Sequence, residues 1–194
     1  DFIISPDVLV PRPETETLVE AVLNENLQGK TLLELGTGSG VISISIAQES
    51  RDCIIFATDI SIKSILVAKQ NAEKFYCENI IFLNHDWNNE WLFPQIDYLI
   101  SNPPYVDKEK TSGKEEGIWH EPEKALFSND KGLSDLRLIL SKGKNYLNEN
   151  GKVYLEHAPD QYEELNKFAL ENGYLNFSNL NDLNGDKRVS IYQC

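Results

Sequence analysis

The stretch of this sequence most able to do chemistry is Asn102-Pro103-Pro104-Tyr105. Two consecutive prolines fix φ and remove two backbone donors, so the turn is rigid and presents carbonyl acceptors. A planar –NH2 group entering it would meet two acceptors, the Asn102 side-chain oxygen and the Pro103 carbonyl. An amide nitrogen is a poor nucleophile because its lone pair is delocalised. Two acceptors hold it in line and favour the positive charge that develops on nitrogen as it is alkylated. Tyr105 can pack against the flat group. Asn102, Pro103 and Tyr105 are therefore the candidate catalytic residues, and Asn102, Pro103, Pro104 and Tyr105 the candidate substrate-binding residues. No general base is needed, because an N-alkylated amide cation is acidic enough to lose its proton to water.

A second motif, Glu34-Leu35-Gly36-Thr37-Gly38-Ser39-Gly40, suggests where the alkyl group comes from. Glycines on alternate positions let backbone approach a ligand where any Cβ would clash. The dinucleotide fingerprint puts its third glycine three positions after the second. Here the interval is two, a poor match to a nicotinamide or flavin site. The turn has instead the shape used to hold the amino-acid part of S-adenosylmethionine. Asp59 follows about 20 residues downstream, where a carboxylate can accept from both ribose hydroxyls. His85-Asp86-Trp87 offers an acceptor for an adenine amino group and a ring on which to stack. The candidate cofactor-binding residues are Gly36, Thr37, Gly38, Ser39, Gly40, Asp59, Asp86, Trp87 and Asn102. S-adenosylmethionine would be the cofactor and S-adenosylhomocysteine the product.

Each feature has a plainer reading. NPPY can be a bare turn, the glycines a tight strand-to-helix connection, Asp59 a helix cap, and Trp87 a ring folded onto the core. What favours chemistry is that all of them fall at the ends of strands. Residues 31–35, 53–58, 80–83 and 96–101 are short, continuous apolar runs, as expected of parallel strands covered on both faces. Pro13 with Glu14 and Glu16 predicts a helix start, running to about Leu27. Helices are expected over 41–49, 61–75, 132–147 and 160–171. Ser61 is the expected N-cap of its helix, with Ile65, Leu66 and Ala68 on the inner face. A strand at 152–157 and a hairpin of 174–180 with 187–193 around Asn184-Gly185-Asp186 complete the pattern. Residues 107–130 form the one long irregular stretch, read as a lid.

The fold class this predicts is α/β: a Rossmann-like, mostly parallel seven-stranded sheet whose C-terminal hairpin supplies an antiparallel strand. Ligands in such sheets bind beyond the carboxyl ends of the strands.

Composition narrows the partners. The net charge of -13, from 31 acidic and 18 basic residues, opposes phosphate binding, so no nucleic-acid partner is expected. No apolar run is long enough to span a bilayer, and no signal peptide opens the chain, so a cytoplasmic protein without membrane attachment is expected. Cys53, Cys77 and Cys194 contain no CxxC, and His85, His120 and His157 are scattered; neither set suggests a metal site. The 194 residues contain no methionine and open at Asp1. The reading takes residues 1–194 as one methyltransferase domain, a monomer, from a protein with more chain upstream.

With these residues in view, the chain resembles the HemK (PrmC) family of protein glutamine methyltransferases along essentially its whole length. The likeness begins with Pro11-Arg12-Pro13-Glu14-Thr15-Glu16, similar to the family's PRPxTE segment, and continues through ELGTGSG and NPPYV. His120-Glu121-Pro122 with Ala125-Leu126 resembles its FEP…AL stretch, His120 departing from the usual Phe. Leu155-Glu156-His157 and Gly185-Asp186-Lys187-Arg188 are similar too. The resemblance implies a class I methyltransferase fold and, as substrate and partner, class 1 peptide chain release factors, methylated on the glutamine of their GGQ motif. It also implies an N-terminal helical substrate-binding domain upstream. Arg12 and Glu16 would then be supporting residues, in substrate contact or in a salt bridge that positions the first helix. Three alternatives stay open: a glutamine methyltransferase for a ribosomal protein, an adenine-amino nucleic-acid methyltransferase, and a non-enzymatic S-adenosylmethionine-binding module.

Overall fold

Successive side chains along the strands point to opposite faces and build two cores, one on each side of a single sheet. In the computed structural model, which describes residues 1–107 and 122–194, helix α1 (Thr15–Leu23) precedes strand β1 (Thr31–Leu35). There follow α2 (Val41–Glu49), β2 (Ile54–Asp59), α3 (Ile62–Lys74), β3 (Ile80–Asn84) and β4 (Ile96–Ser101). Leu33, Leu35 and Leu99 point to one face and Leu32, Tyr98 and Ile100 to the other. The first face is covered by α5 (Ser134–Gly143) and α6 (Tyr162–Glu171), the second by α1 and α2. Burial on both faces is why these strands read as unbroken apolar runs.

The sheet has seven strands in the order β3-β2-β1-β4-β7-β9-β8, with β7 spanning Leu147–Glu156, β8 Asn176–Asn181 and β9 Lys187–Gln193. Strands β1 to β4 and β7 are parallel, and β9 runs antiparallel to both its neighbours. This is the class I methyltransferase architecture expected from the sequence, hairpin included. Between β4 and α5 a two-residue parallel pair, β5 (Val106–Asp107) and β6 (Phe127–Ser128), flanks a four-residue helix α4 (Glu123–Leu126). No helix among the described residues is long and apolar enough to cross a membrane.

Several local expectations shift. Helix α1 stops at Leu23, short of Leu27, because Glu25 turns toward β7, where Lys152 Nζ and Tyr154 donate to it at 2.6 and 2.7 Å. Ser61 caps α3 as expected, accepting from the Ser64 amide at 3.2 Å. Ile65 and Ala68 are buried, but Leu66 is 54% exposed and Val67 takes the inward place. Strand β3 lies at the sheet edge, and Ile81 and Leu83 are exposed where two-sided cover was expected. The lid expected over 107–130 falls largely on 108–121, outside the described residues. Its described end is α4, β6 and a left-handed turn.

That turn holds the NPPY segment in place. Gly132 has φ +83°, and a Cβ there would stand 2.0 Å from the Tyr105 carbonyl oxygen, which itself accepts from Gln161 Nε2 at 3.0 Å. At the other motif, the buried Glu34 carboxylate pins the start of α2. Thr37 Oγ1 donates to its Oε2 at 2.7 Å, Ser43 Oγ donates to the same oxygen, and Oε1 has no partner among the described residues. Burial pushes the Glu34 carboxyl up to about 7, against the pull of the Ser43 and Thr37 hydrogen bonds.

Two predictions follow from these contacts. Gly132→Ala is expected to lose roughly 2–4 kcal/mol, the left-handed cost plus overpacking. Gly29→Ala, at φ +70° in open space, should lose only about 1 kcal/mol. Urea midpoints for the two variants test this, and equal midpoints would show that the Tyr105 carbonyl gives way freely. For Glu34 the folded-state value lies above the ordinary 4.5, so its contribution is fully present at low pH and is lost as pH rises through about 7. Relative to Glu34→Gln, wild type should lose on the order of 2 kcal/mol between about pH 5 and about pH 7.5. A pH-independent difference in urea stability would place the carboxyl at its ordinary value.

Candidate active site

Register brings the candidate residues into one row. Leu35 pairs with Thr58 on one side and Ser101 on the other, and Ser101 pairs with Leu155. The next residue along each strand is therefore Gly36, Asp59, Asn102 and Glu156, side by side at the carboxyl edge. Between β1 and β4 the strand order reverses direction, so the connections leaving these two strands diverge and open a crevice. Ser101 Oγ donates to the Leu35 carbonyl at 2.7 Å and locks the two strand ends together.

A cavity of about 550 Å³ occupies the crevice, walled by Gly36, Gly38, Asp59, Trp87, Asn102 and Pro104 among others. Gly36 has φ +76°, and a Cβ on it would meet Trp87 Cζ3 at 3.2 Å, so the ring lies directly over the turn. Trp87 is fixed from outside: Nε1 donates to Asp135 Oδ1 at 3.1 Å, and Lys142 Nζ donates to the Trp87, Asn88 and Asn89 carbonyls. Asp59 accepts from the Gly38 amide through Oδ2 at 3.0 Å and from the Ser61 amide through Oδ1 at 2.8 Å. Burial raises its carboxyl value while these two amides act against the shift. Each oxygen keeps lone-pair capacity for a ligand hydroxyl.

A second cavity, about 500 Å³, lies on the other side of the NPPY turn, lined by Arg12, Glu14, Asn102, Pro103, Tyr105 and Arg188 among others. Asn102 belongs to both cavities, while Pro104 lines the first and Pro103 and Tyr105 the second. The turn is thus a partition with Asn102 in its middle. Tyr105 donates to Glu156 Oε1 at 2.9 Å, and burial together with the neighbouring Glu156 carboxylate pushes its phenol up. Asn102 Nδ2 donates to Thr15 Oγ1 at 3.1 Å.

Not every candidate is brought to the cavities. Thr37 and Ser39 flank only a small recess of about 40 Å³ above the glycine turn. Gly40 lines neither large cavity and serves packing, with Ile44 and Ala68 against the place a Cβ would take. Asp86 is in neither lining, and its Oδ1 accepts from the Asn88 amide and side chain instead. Arg12 and Glu16 are exposed on a groove beside α1, where Arg12 also reaches the second cavity. His120 and Glu121 of the lid lie outside the described residues.

Other lining residues gave no sequence signal of their own. Asp7, Val8 and Leu9 wall the first cavity, carried there by an irregular N-terminal strap. The buried Asn71 side chain joins this strap to the glycine turn: it accepts from the Ile3 amide and donates to the carbonyls of Ile3 and Ser39. Lys63 Nζ meets Asp7 Oδ1 at 2.9 Å. A polar residue on the inner face of α3, near its C-terminal end, is the available clue. Thr15, Glu156 and Arg188 stand in segments similar to the family's, where the sequence alone gives them no role.

Comparison with known proteins agrees with this geometry. Residues 13–165 match the methyltransferase small domain family. The release factor glutamine methyltransferase of Aliivibrio fischeri is 35% identical over 192 residues, covering 98% of this chain and 68% of that protein. The protein of the same name from Coxiella burnetii is 36% identical, covering 97% and 68%. Among solved structures, a methyltransferase from Pyrococcus furiosus superposes with a TM-score of 0.73 at 20% identity, over 100% of this chain and 88% of that one. The ribosomal protein L11 methylase of Lactobacillus delbrueckii gives 0.70 at 16% identity, over 97% and 81%. At those identities the structures speak for the fold alone, whereas the sequence relatives span nearly the whole chain. With relatives of this name at 35% and 36% identity over nearly its whole length and more than two thirds of theirs, the chain belongs to the release factor glutamine methyltransferase family.

Proposed function

We propose that this chain transfers the methyl group of S-adenosylmethionine to the side-chain amide nitrogen of a release-factor glutamine, the one in the GGQ motif of class 1 factors. The observation that carries the reading is the position of Asn102, shared by two cavities that meet at the NPPY turn. A two-substrate transfer needs such a junction, because the donor and acceptor must touch at one atom while the rest of each is held apart.

The first cavity suits S-adenosylmethionine. Its floor is bare backbone at Gly36 and Gly38, Trp87 supplies an aromatic face, and the Asp59 carboxylate keeps acceptor capacity for two hydroxyls. When bound there, the sulfonium supplies a methyl group already activated for displacement. The second cavity receives the glutamine. Asn102 Oδ1 and the Pro103 carbonyl accept the two amide hydrogens, Tyr105 packs against the amide plane, and the nitrogen is thereby aimed toward the first cavity. As nitrogen takes up the methyl its hydrogens become more positive, so both acceptors bind more tightly in the transition state than before it. The surplus proton leaves to water, and no side chain has to act as a base.

Family membership supports glutamine over an adenine amino group, since NPPY by itself serves either. The charge of -13 supports a protein partner over a polyanion.

The test is labelling with methyl-labelled S-adenosylmethionine. A purified release factor should take up label, and a release factor whose GGQ glutamine is replaced by alanine should not. A ribosomal-protein extract and duplex DNA run alongside. Label on DNA alone would overturn the glutamine reading, and label on a ribosomal protein alone would move the target. Asn102→Ala should lower turnover about 10²- to 10³-fold while cofactor affinity stays near wild type. Asp59→Ala should do the reverse, weakening cofactor binding about tenfold or more through the loss of charge-assisted hydrogen bonds. A retained turnover in the first variant, or a retained affinity in the second, would remove that residue from its role.

A further inference from the structure

An asparagine amide can present either end, and here the choice is made outside the turn. Thr15 Oγ1 donates to Glu156 Oε2 at 2.8 Å, and Tyr105 donates to Glu156 Oε1 at 2.9 Å. An ionised carboxylate only accepts, and a threonine has one hydroxyl proton to give. Glu156 takes that proton, so Thr15 offers Asn102 a lone pair and nothing else. Only an N–H can answer a lone pair. Asn102 therefore turns Nδ2 to Thr15, at 3.1 Å, and its Oδ1 is directed elsewhere. Among the described residues no hydrogen bond engages that oxygen.

We propose that Thr15 and Glu156 are positioning residues that set the polarity of Asn102, so that its oxygen rather than its nitrogen meets the substrate –NH2. The inference rests on the reading of the substrate as an amide. With the opposite polarity Asn102 would face an N–H with an N–H. One of the two acceptors would be gone, and the nucleophile would be repelled instead of aligned. The relay reaches across three elements, from the first turn of α1, through the end of β7, to the turn after β4.

The carboxylate is an expensive way to achieve mere packing. Glu156 is fully buried, and a charge in that position destabilises the fold unless its partners compensate. Burial raises its carboxyl value; the Thr15 and Tyr105 hydroxyls and the Arg188 guanidinium draw it down, and Glu14 adds a smaller push upward. Each of its oxygens receives a hydroxyl, one from Thr15 and one from Tyr105, which is the bonding pattern of the acceptor-only form, and the Arg188 guanidinium works against the rise that burial imposes. That form is what the relay requires.

Thr15→Val removes the hydroxyl at constant shape, and Thr15→Ser restores it. Both are assayed with a release factor as substrate for kcat and KM, with S-adenosylhomocysteine for cofactor-site affinity, and by NMR of the 15N-labelled protein for the Asn102 side-chain amide. In Thr15→Val, kcat should fall roughly tenfold to a hundredfold, cofactor-site affinity should stay within about twofold, and the Asn102 amide signals should shift. Thr15→Ser should return turnover to within about threefold of wild type and the signals to their place. In Glu156→Gln the new nitrogen can donate to Thr15, whose proton then points at Asn102 Oδ1, so turnover should fall as far. If that variant does not fold, the Thr15 pair decides. Unchanged kcat in Thr15→Val, or unmoved Asn102 signals whatever the kcat, would overturn the relay. A wild-type protein that labels no glutamine would instead overturn the substrate reading, while the Asn102 signals still report the polarity.

Discussion

The arrangement of the site depends above all on one buried carboxylate, at the point where a helix, a strand and the NPPY turn meet. Glu156 receives a hydroxyl from α1 and another from the turn after β4, and it sits at the end of β7 itself. Three elements distant in sequence converge on two oxygen atoms. Without that convergence the sheet would still form, since its strands are held by their own ladders and by two apolar cores. What would be lost is the fixed relation between α1 and the NPPY turn. The glycine turn depends in the same way on Glu34, also buried, whose Oε2 takes the Thr37 and Ser43 hydroxyls. A buried acid near a strand end that takes two hydroxyls is used twice along the same edge of the sheet.

Strand order does the rest. Because β1 and β4 are neighbours and their connections lead to opposite faces, the two motifs come together without any sequence between them being near. Register then sets them level: a pairing of Leu35 with Ser101 leaves Gly36 and Asn102 as the first residues beyond the hydrogen-bonded ladder. A slip of one residue would point Asn102 into the opposite core. The Ser101 hydroxyl bound to the Leu35 carbonyl works against such a slip.

Much of this is legible in the amino-acid sequence. Strands β1, β2 and β4 carry apolar runs that only two-sided burial explains, and the residues that end them are the ones whose chemistry stands out. The hairpin announced itself through Asn184-Gly185-Asp186. Legibility failed where the deciding partner is remote. Nothing near Glu25 in sequence says that Lys152 and Tyr154 will draw it out of helical register. Nothing near Leu66 says that α3 will turn Val67 inward in its stead, because the orientation is set by α2 and β3. Asp86 and Trp87 are adjacent residues, yet one is spent on a local turn and the other on the cavity wall. Their side chains point to different neighbours, and spacing alone does not say which. The N-terminal strap was silent for another reason: it has no periodicity, being held by polar contacts from Asn71, Lys63 and Ser64 rather than by an amphipathic face.

That strap makes part of the cavity wall from chain that precedes the first helix. Asn71 grips the Ile3 backbone with one end of its amide on the N–H and the other on the carbonyl, and reaches the glycine turn through Ser39. A molecule in the first cavity would touch Gly36 and Gly38 of the turn together with Val8 and Leu9 of the strap. Docking of the strap and occupation of the cavity are consequently linked equilibria, each drawing on the same free energy. Residues 1–14 are therefore part of the cavity's wall rather than a tail, and whatever fills the cavity stabilises their docking.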